Sequence, residues 1–94
     1  MLLTKQANFG ELIVTIFDFE KAGDILPFHV HDEKSNHITV VALGKIKAYS
    51  YDWQKEAEAG TTLNFRPHEP HEIAALEDNT RIINIQRNNF TEKL

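Results

Sequence analysis

Residues 23–31 read GDILPFHVH, a turn followed by an extended segment that ends in two histidines. The opening Gly-Asp pair is typical of turns, and Pro27 favours extended backbone over a helix. Side chains alternate across a β-strand, so His29 and His31 share a face and their rings can converge on one ion. Imidazole is the commonest protein ligand for transition metals. The stretch therefore predicts a strand that carries part of a metal site.

The remaining histidines strengthen this interpretation. His37 follows the first pair after a polar loop, and His68 and His71 form a second cluster about thirty residues further along the chain. The chain contains no cysteine. This excludes disulfides, iron–sulfur clusters and thiolate zinc sites, so no thiolate can share metal binding with the imidazoles.

Length and composition predict one small globular domain. The 94 residues are read as a single unit, 1–94, with a folded core over 10–88 and a loose polar tail over 89–94. The net charge of −4 and the dispersed Lys and Arg argue against nucleic-acid binding. No apolar run approaches the roughly 20 residues that span a bilayer, and the amino terminus lacks a signal-peptide pattern. We therefore expect a cytoplasmic protein with a small-molecule ligand and neither a nucleic-acid nor a membrane partner.

Runs of β-branched and aromatic residues between turn signals predict seven or eight short strands and no sustained helix. The charged segment 53–59 is predicted to be a connector with at most one helical turn. This pattern predicts an all-β barrel or sandwich. The expected strands are the stretch with His29 and His31 and residues 12–19, 37–43, 45–51, 61–65, 72–76 and 80–87.

Gly44 and Lys45 read as the two-residue loop of a β-hairpin. Directly opposed residues of a hairpin point to the same face. The face that carries His37 is apolar next to the loop and becomes polar towards His37. An apolar end and a polar mouth predict a ligand cavity, with Thr39 and Ser50 near the ligand or its metal. The expected pairs of this face are Leu43/Ile46, Val41/Ala48 and Thr39/Ser50.

The opposite face of that hairpin is too apolar to be covered by water alone, and we expect it to pack on a second sheet or on another subunit. A domain of this size buries only about 60–65% of its unfolded surface, so a partner subunit would add stability. The sequence therefore predicts a homodimer, with residues 12–19 at the contact. The residues of this face are Ile38, Val40, Ala42, Lys47, Tyr49 and Tyr51.

Two blocks of the sequence resemble the paired motifs of the cupins, which are small double-stranded β-helix barrels. Cupins typically show Gly, five residues, His-x-His, three or four residues, Glu, six residues and Gly. Residues 23–44 resemble this pattern, with His37 in place of Glu and a slightly longer loop before it. Residues 60–71 are similar to the second motif, which reads Gly, five residues, Pro-x-Gly-x-x-His. The resemblance covers residues 23–76. It implies an all-β, cupin-like double-stranded β-helix or jelly-roll barrel.

Carried over residue by residue, the resemblance implies four metal ligands, His29, His31, His37 and His71. The alternative for His37 is a hydrogen bond to a ligand rather than direct ligation, and Glu33 is an alternative carboxylate ligand. Departures from the family pattern put Arg66 where Pro is usual, His68 where Gly is usual and Ala75 where Asn is usual.

Two of these departures, Arg66 and His68, have alternative interpretations. Arg66 is read either as a binder of a substrate carboxylate or as a partner of a surface acid. His68 lies three residues from His71 across a turn and is read as a residue at the cavity mouth or in solvent rather than as a ligand.

Four neutral imidazoles leave a divalent ion its full charge, so the site favours anionic or enolisable oxygen ligands. The resemblance implies a divalent transition metal, Fe, Mn, Ni or Zn, and a small-molecule substrate. Our leading hypothesis is an Fe(II)-type dioxygenase. The alternatives are a metal-dependent isomerase or lyase acting on a sugar acid, a metal or ligand-binding module without catalysis, which the lack of an obvious general base favours, and a metal-free structural barrel.

Overall fold

The computed structural model describes residues 1–30 and 37–87, and these residues form nine β-strands. Within these ranges no helix is long and apolar enough to cross a membrane. The predicted tail, 89–94, lies outside the described residues. The strands are β1 (Leu2–Phe9), β2 (Leu12–Phe19), β3 (Ile25–His29), β4 (His37–Leu43), β5 (Lys45–Tyr49), β6 (Gln54–Glu58), β7 (Thr62–Asn64), β8 (His71–Ala75) and β9 (Thr80–Arg87).

The strands form two antiparallel sheets. The five-stranded sheet has the order β1-β2-β9-β4-β7, and the four-stranded sheet has the order β3-β8-β5-β6. The predicted all-β barrel of short strands is confirmed. Each strand alternates one inward and one outward side chain, and both sheets contribute inward residues to one core. The buried apolar residues are Phe19, Val41, Ile46, Ala48, Ala57, Leu63, Phe65, Ile73, Ala75 and Ile82.

The predicted hairpin at Gly44 and Lys45 is wrong. β4 belongs to the five-stranded sheet and β5 to the four-stranded sheet, so the two strands do not pair. Thr39 lies opposite Leu63 and Asn84 instead of Ser50. A glycine at a corner between two sheets has the same sequence signature as a glycine in a tight hairpin, because both positions require a positive φ, here 75° at Gly44.

The inward face predicted for β4 is correct except at its end. His37, Thr39 and Val41 are all buried, because alternation depends on the strand itself and not on its partner. Leu43, expected at the apolar end of the cavity, is instead 52% exposed. The pairing of β4 with β9 shifts register between Val41 and Leu43, which turns Leu43 outward.

The charged segment 53–59 contains a strand rather than a helical turn. β6 pairs with β5 through five consecutive residues, and Ala57 is the one buried residue of the strand. Three charged side chains in an edge strand hinder pairing with another chain, which explains why so polar a segment is a strand. β1, which precedes the predicted core, pairs with β2 along all eight residues. This strand was not predicted from the sequence.

Candidate metal centre

Strands β3 and β8 bring the first and second histidine clusters together. His29 and His71 are register partners, and their ring centroids lie 4.3 Å apart at an interplanar angle of 67°. The register shifts between Leu26 and His29, and such an irregularity re-aims a side chain at the end of a strand. His71 is fully buried. The structure therefore places one histidine from each motif side by side in the barrel.

Each of the two rings makes a hydrogen bond from Nδ1 to the backbone carbonyl oxygen two residues earlier in the chain. Nδ1 of His29 lies 2.8 Å from the Pro27 carbonyl oxygen, and Nδ1 of His71 lies 3.0 Å from the Glu69 carbonyl oxygen. A carbonyl oxygen can only accept, so Nδ1 carries the proton in each ring and Nε2 of the neutral ring has the lone pair. Metal-ligating histidines in proteins are oriented in this way.

Phe65 is a residue of the site that the sequence analysis missed. Its ring stacks on that of His71 at 3.9 Å and 5°, and its centroid lies 6.2 Å from those of both His37 and Trp53. Phe65 follows buried Leu63 by two residues, so strand alternation could have placed it on the inner face. It covers one face of the His71 ring and excludes water from it.

Burial lowers the pKa of His71 below its ordinary value. Repulsion from positive charge on His29 and His37 acts in the same direction, whereas the hydrogen bond to the Glu69 carbonyl opposes it. The lowered pKa favours the neutral ring near pH 7, and only a neutral imidazole can ligate a metal ion.

The metal-free protein is expected to lose stability as the pH is lowered from about 7.5 to about 5.5. Unfolded His71 takes up a proton near its ordinary pKa of about 6.5, whereas in the folded protein it does so only at lower pH. Its contribution is therefore complete above about pH 6.5 and is lost as the pH falls through the lowered folded pKa. Urea unfolding across this range measures the effect. His71→Gln should flatten the dependence, and an equal slope in that variant would contradict the assignment.

The structure describes three of the four predicted ligands, His29, His37 and His71. Among residues 1–30 and 37–87, no three His, Asp or Glu side chains are grouped in a way that could hold a metal ion. His37 is buried on β4, where its ring contacts Phe65. His31 and the alternative ligand Glu33 lie outside the described residues. The donor chemistry of His29 and His71 fits a divalent transition metal ion.

The structure also describes the four residues that were predicted to lie near the substrate or the ligands. Thr39 is fully buried and donates a hydrogen bond of 2.7 Å from Oγ1 to Oδ1 of Asn84, another inner residue that the sequence analysis missed. The Ser50 hydroxyl donates to the Pro70 carbonyl and so connects the end of β5 to the residue before His71. Arg66 and His68 both have exposed side chains, and His68 has a φ of 64°.

The Thr39→Val substitution is expected to lower the free energy of unfolding by about 1–3 kcal/mol, because it leaves the buried Asn84 oxygen without its donor. Chemical denaturation measures the loss. The double variant Thr39→Val/Asn84→Leu removes both polar groups and should recover most of the stability. A double variant that is destabilised by the sum of the two single changes would contradict this account.

A surface cavity of about 510 Å³ opens beside His37. Gln86 lies opposite His37 across β4 and β9, and Arg87 follows it. The Arg87 side chain is largely exposed and pairs with Glu11 at 3.2 Å. The cavity therefore extends from the buried His37 to an ion-paired arginine at the surface. Its lining residues are Leu12, His37, Ile38, Asn64, Phe65, Ile85, Gln86 and Arg87.

Several solved structures are similar to this chain over most of its length. KdgF from a Halomonas species is 19% identical, with 99% of this chain and 85% of that chain covered and a TM-score of 0.80. An RmlC-like cupin from Desulfovibrio desulfuricans is 25% identical, with 90% and 81% covered and a TM-score of 0.75. A variant of oxalate decarboxylase from Bacillus subtilis is 18% identical, with 98% and 27% covered and a TM-score of 0.79. No protein-family model and no curated protein matches the sequence.

Proposed function

We propose that this chain, which has the cupin fold, binds a divalent transition metal ion through His29 and His71 and acts on a small anionic substrate. The observation that carries the proposal is the shared orientation of the two rings. Each Nδ1 donates to a backbone carbonyl, which leaves each Nε2 as the nitrogen with a lone pair. Two adjacent histidines with this same arrangement are what a metal site requires and what a packed core does not.

Further ligands are proposed from the remaining histidines. The spacing His29-x-His31 in the sequence makes His31 the proposed third ligand, and His37 is the fourth candidate on the inner face of β4. A set of neutral imidazoles leaves the ion its double positive charge, so it favours a carboxylate or enolate oxygen. When bound, the ion supplies a Lewis acid and, if it is Fe(II), a site for O₂.

The chain's own residues supply substrate binding and the exclusion of water. An anion that enters the cavity beside His37 would compete with Glu11 for Arg87 at the rim. Phe65 keeps water from one face of the His71 ring, which strengthens electrostatic interactions in the site. The Thr39 hydroxyl, which donates to Asn84 Oδ1, orients that amide on the inner wall.

The proposed reaction is a dioxygenation. Both atoms of O₂ enter the product and the substrate supplies the electrons, so no external reductant is needed. The all-imidazole donor set favours this reaction, because neutral ligands leave the metal ion its positive charge. Its open coordination positions could then take a chelating substrate and O₂ together. The isomerase or lyase alternative consumes no oxygen, so activity that persists under anaerobic conditions would identify it.

Metal titration of the apoprotein tests the proposal. The protein is stripped with a chelator, and Co(II), Zn(II) and Fe(II) are added one at a time under argon. Calorimetry should give one site per chain, and Co(II) should give the d–d absorption bands of nitrogen coordination. Binding without oxygen uptake or turnover across a panel of diketones, phenolic acids and sugar acids would support a binding module instead. No binding of any of the three ions would refute the metal site.

A further inference from the structure

Three aromatic rings gather on the outward side of the four-stranded sheet. Tyr49 ends β5 and Tyr51 follows it in the loop to β6, whereas Phe28 lies on β3, on the far side of β8. The Tyr51 ring stacks on that of Phe28, with centroids 5.3 Å apart and planes 10° from parallel, and the Tyr49 ring meets Phe28 edge-on at 5.7 Å and 84°. Stacked and edge-to-face rings stabilise one another beyond the area that they bury. We call these three residues the aromatic platform.

The aromatic platform is open to solvent. Tyr51 is 83% exposed and Phe28 is 41% exposed. Phe28 covers one face of the Tyr51 ring, so this exposure leaves the opposite face of the ring accessible. An exposed ring whose orientation is fixed by a second ring is a surface on which the flat apolar side of a ligand can stack.

Backbone hydrogen bonds hold both parts of the platform in place. The Phe28 N–H donates to Oε1 of Glu72 at 3.2 Å. The loop that carries Tyr51 is closed by the Ser50 N–H, which donates to the Trp53 carbonyl oxygen at 2.9 Å. A site that is ordered before the ligand arrives loses less conformational entropy on binding, so it can bind a small ligand more tightly.

A cavity of about 400 Å³ opens beside the aromatic platform and supplies polar groups. Ligand cavities in proteins measure about 300–1,000 Å³. The Asp52 carboxylate accepts hydrogen bonds, the Lys47 ammonium donates them, and the Gln54 amide does both. Among the described residues, the lining of this cavity includes neither His29 nor His71. The lining residues used here are Lys47, Tyr49, Tyr51, Asp52, Trp53 and Gln54.

The charge of the cavity indicates the class of ligand. Lys47 and Asp52 carry opposite charges, and the chain as a whole carries −4, so an anionic ligand gains no net attraction here. A neutral sugar suits both parts of the site. A pyranose ring packs its C–H face on an aromatic ring, and its hydroxyl groups pair with carboxylate, amide and ammonium groups. A planar aromatic ligand would stack on the platform but would leave these polar groups unused.

We infer that the aromatic platform and the adjoining cavity bind a neutral oligosaccharide on the outside of the barrel. One sugar ring stacks on the open face of Tyr51, and hydroxyl groups of that ring or of the next one bond to Asp52 and Gln54. This site requires no metal ion, because the groups that bind the sugar are separate from His29 and His71. The inference therefore does not depend on the proposed metal chemistry.

Fluorescence titration of the full chain tests this inference. Trp53 is the only tryptophan of the chain and lines the cavity, so its emission reports a bound sugar. The probes are cellotetraose, maltotetraose, xylotetraose and mannotetraose, and at least one of them should change the emission in a saturable way. Tyr51→Ala removes the stacking surface and should raise the dissociation constant for that sugar at least about 10-fold. Phe9→Ala is the matched control, since Phe9 is 81% exposed on the other sheet, and it should leave the affinity unchanged.

Three results would overturn the inference: no saturable change with any of these sugars, binding that Tyr51→Ala does not weaken, and binding that Phe9→Ala weakens equally. Caffeine, a neutral planar ligand, and AMP, an anionic one, are titrated in parallel. Tighter binding of either than of every sugar would overturn the assignment to sugars. Circular dichroism verifies that both variants fold, as expected for side chains that are this exposed.

Discussion

The Gly44→Ala substitution is expected to destabilise the protein by about 3 kcal/mol. Gly44 has a φ of 75°, which an L-residue adopts at a cost of about 1 kcal/mol. A Cβ at this position would lie 2.3 Å from Oγ1 and 3.0 Å from Cα of Thr80. Thr80 is itself buried and donates to the Glu77 carbonyl, so neither its side chain nor its backbone can move aside freely. Urea denaturation monitored by Trp53 fluorescence measures the loss.

Gly10→Ala is the matched control for this substitution. Gly10 also has a positive φ, 59°, but no atom lies within 4 Å of the Cβ that alanine would add. The Gly10→Ala variant should lose only about 1 kcal/mol of stability, which is the cost of the positive φ for alanine. Equal losses in the two variants would mean that the contact with Thr80 contributes nothing and that backbone strain alone explains the effect.

The His71→Ala substitution is expected to weaken binding of Zn(II) or Co(II) by at least about 100-fold. Loss of a residue that only orients a ligand already costs about 10–100-fold, and loss of a ligand costs at least as much. His71 is fully buried beside His29, so no exposed side chain can take its place without a change in the barrel. Competition titration with a chromophoric chelator gives the two affinities.

His68→Ala provides the comparison for this experiment. His68 is exposed and belongs to the same cluster, so its loss should leave the affinity for either ion unchanged. Circular dichroism of both apoproteins separates loss of a ligand from loss of the fold. If His71→Ala remains folded and binds metal as tightly as the wild type, His71 is not a ligand.

The sequence predicted which side of a strand faces the core more reliably than it predicted which strands pair with each other. Alternation placed His37, Thr39 and Val41 inward, and all three are buried. Pairing was wrong at Gly44 because the local signal for a corner and for a hairpin is the same positive φ. The strand over Gln54–Glu58 was missed because its charges suit an edge, where pairing on one side suffices.

The part of the site that local sequence motifs carry was predictable, and the part that depends on contacts between distant segments was not. The two histidine motifs predicted that His29 and His71 meet, and they are adjacent. The stacking of Phe65 on His71 and the bond from Thr39 to Asn84 depend on contacts between distant segments, which no local pattern contains. The ligand roles of His31 and His37 stay predictions.

The position of β9 has a consequence for how the chain folds. This late strand lies between β2 and β4, in the interior of the five-stranded sheet. Until residues 80–87 have left the ribosome, the two earlier strands have unsatisfied backbone edges and no common neighbour. The barrel can therefore close only after residues 80–87 have emerged, and nascent chains that stop before this segment present two open β edges to chaperones.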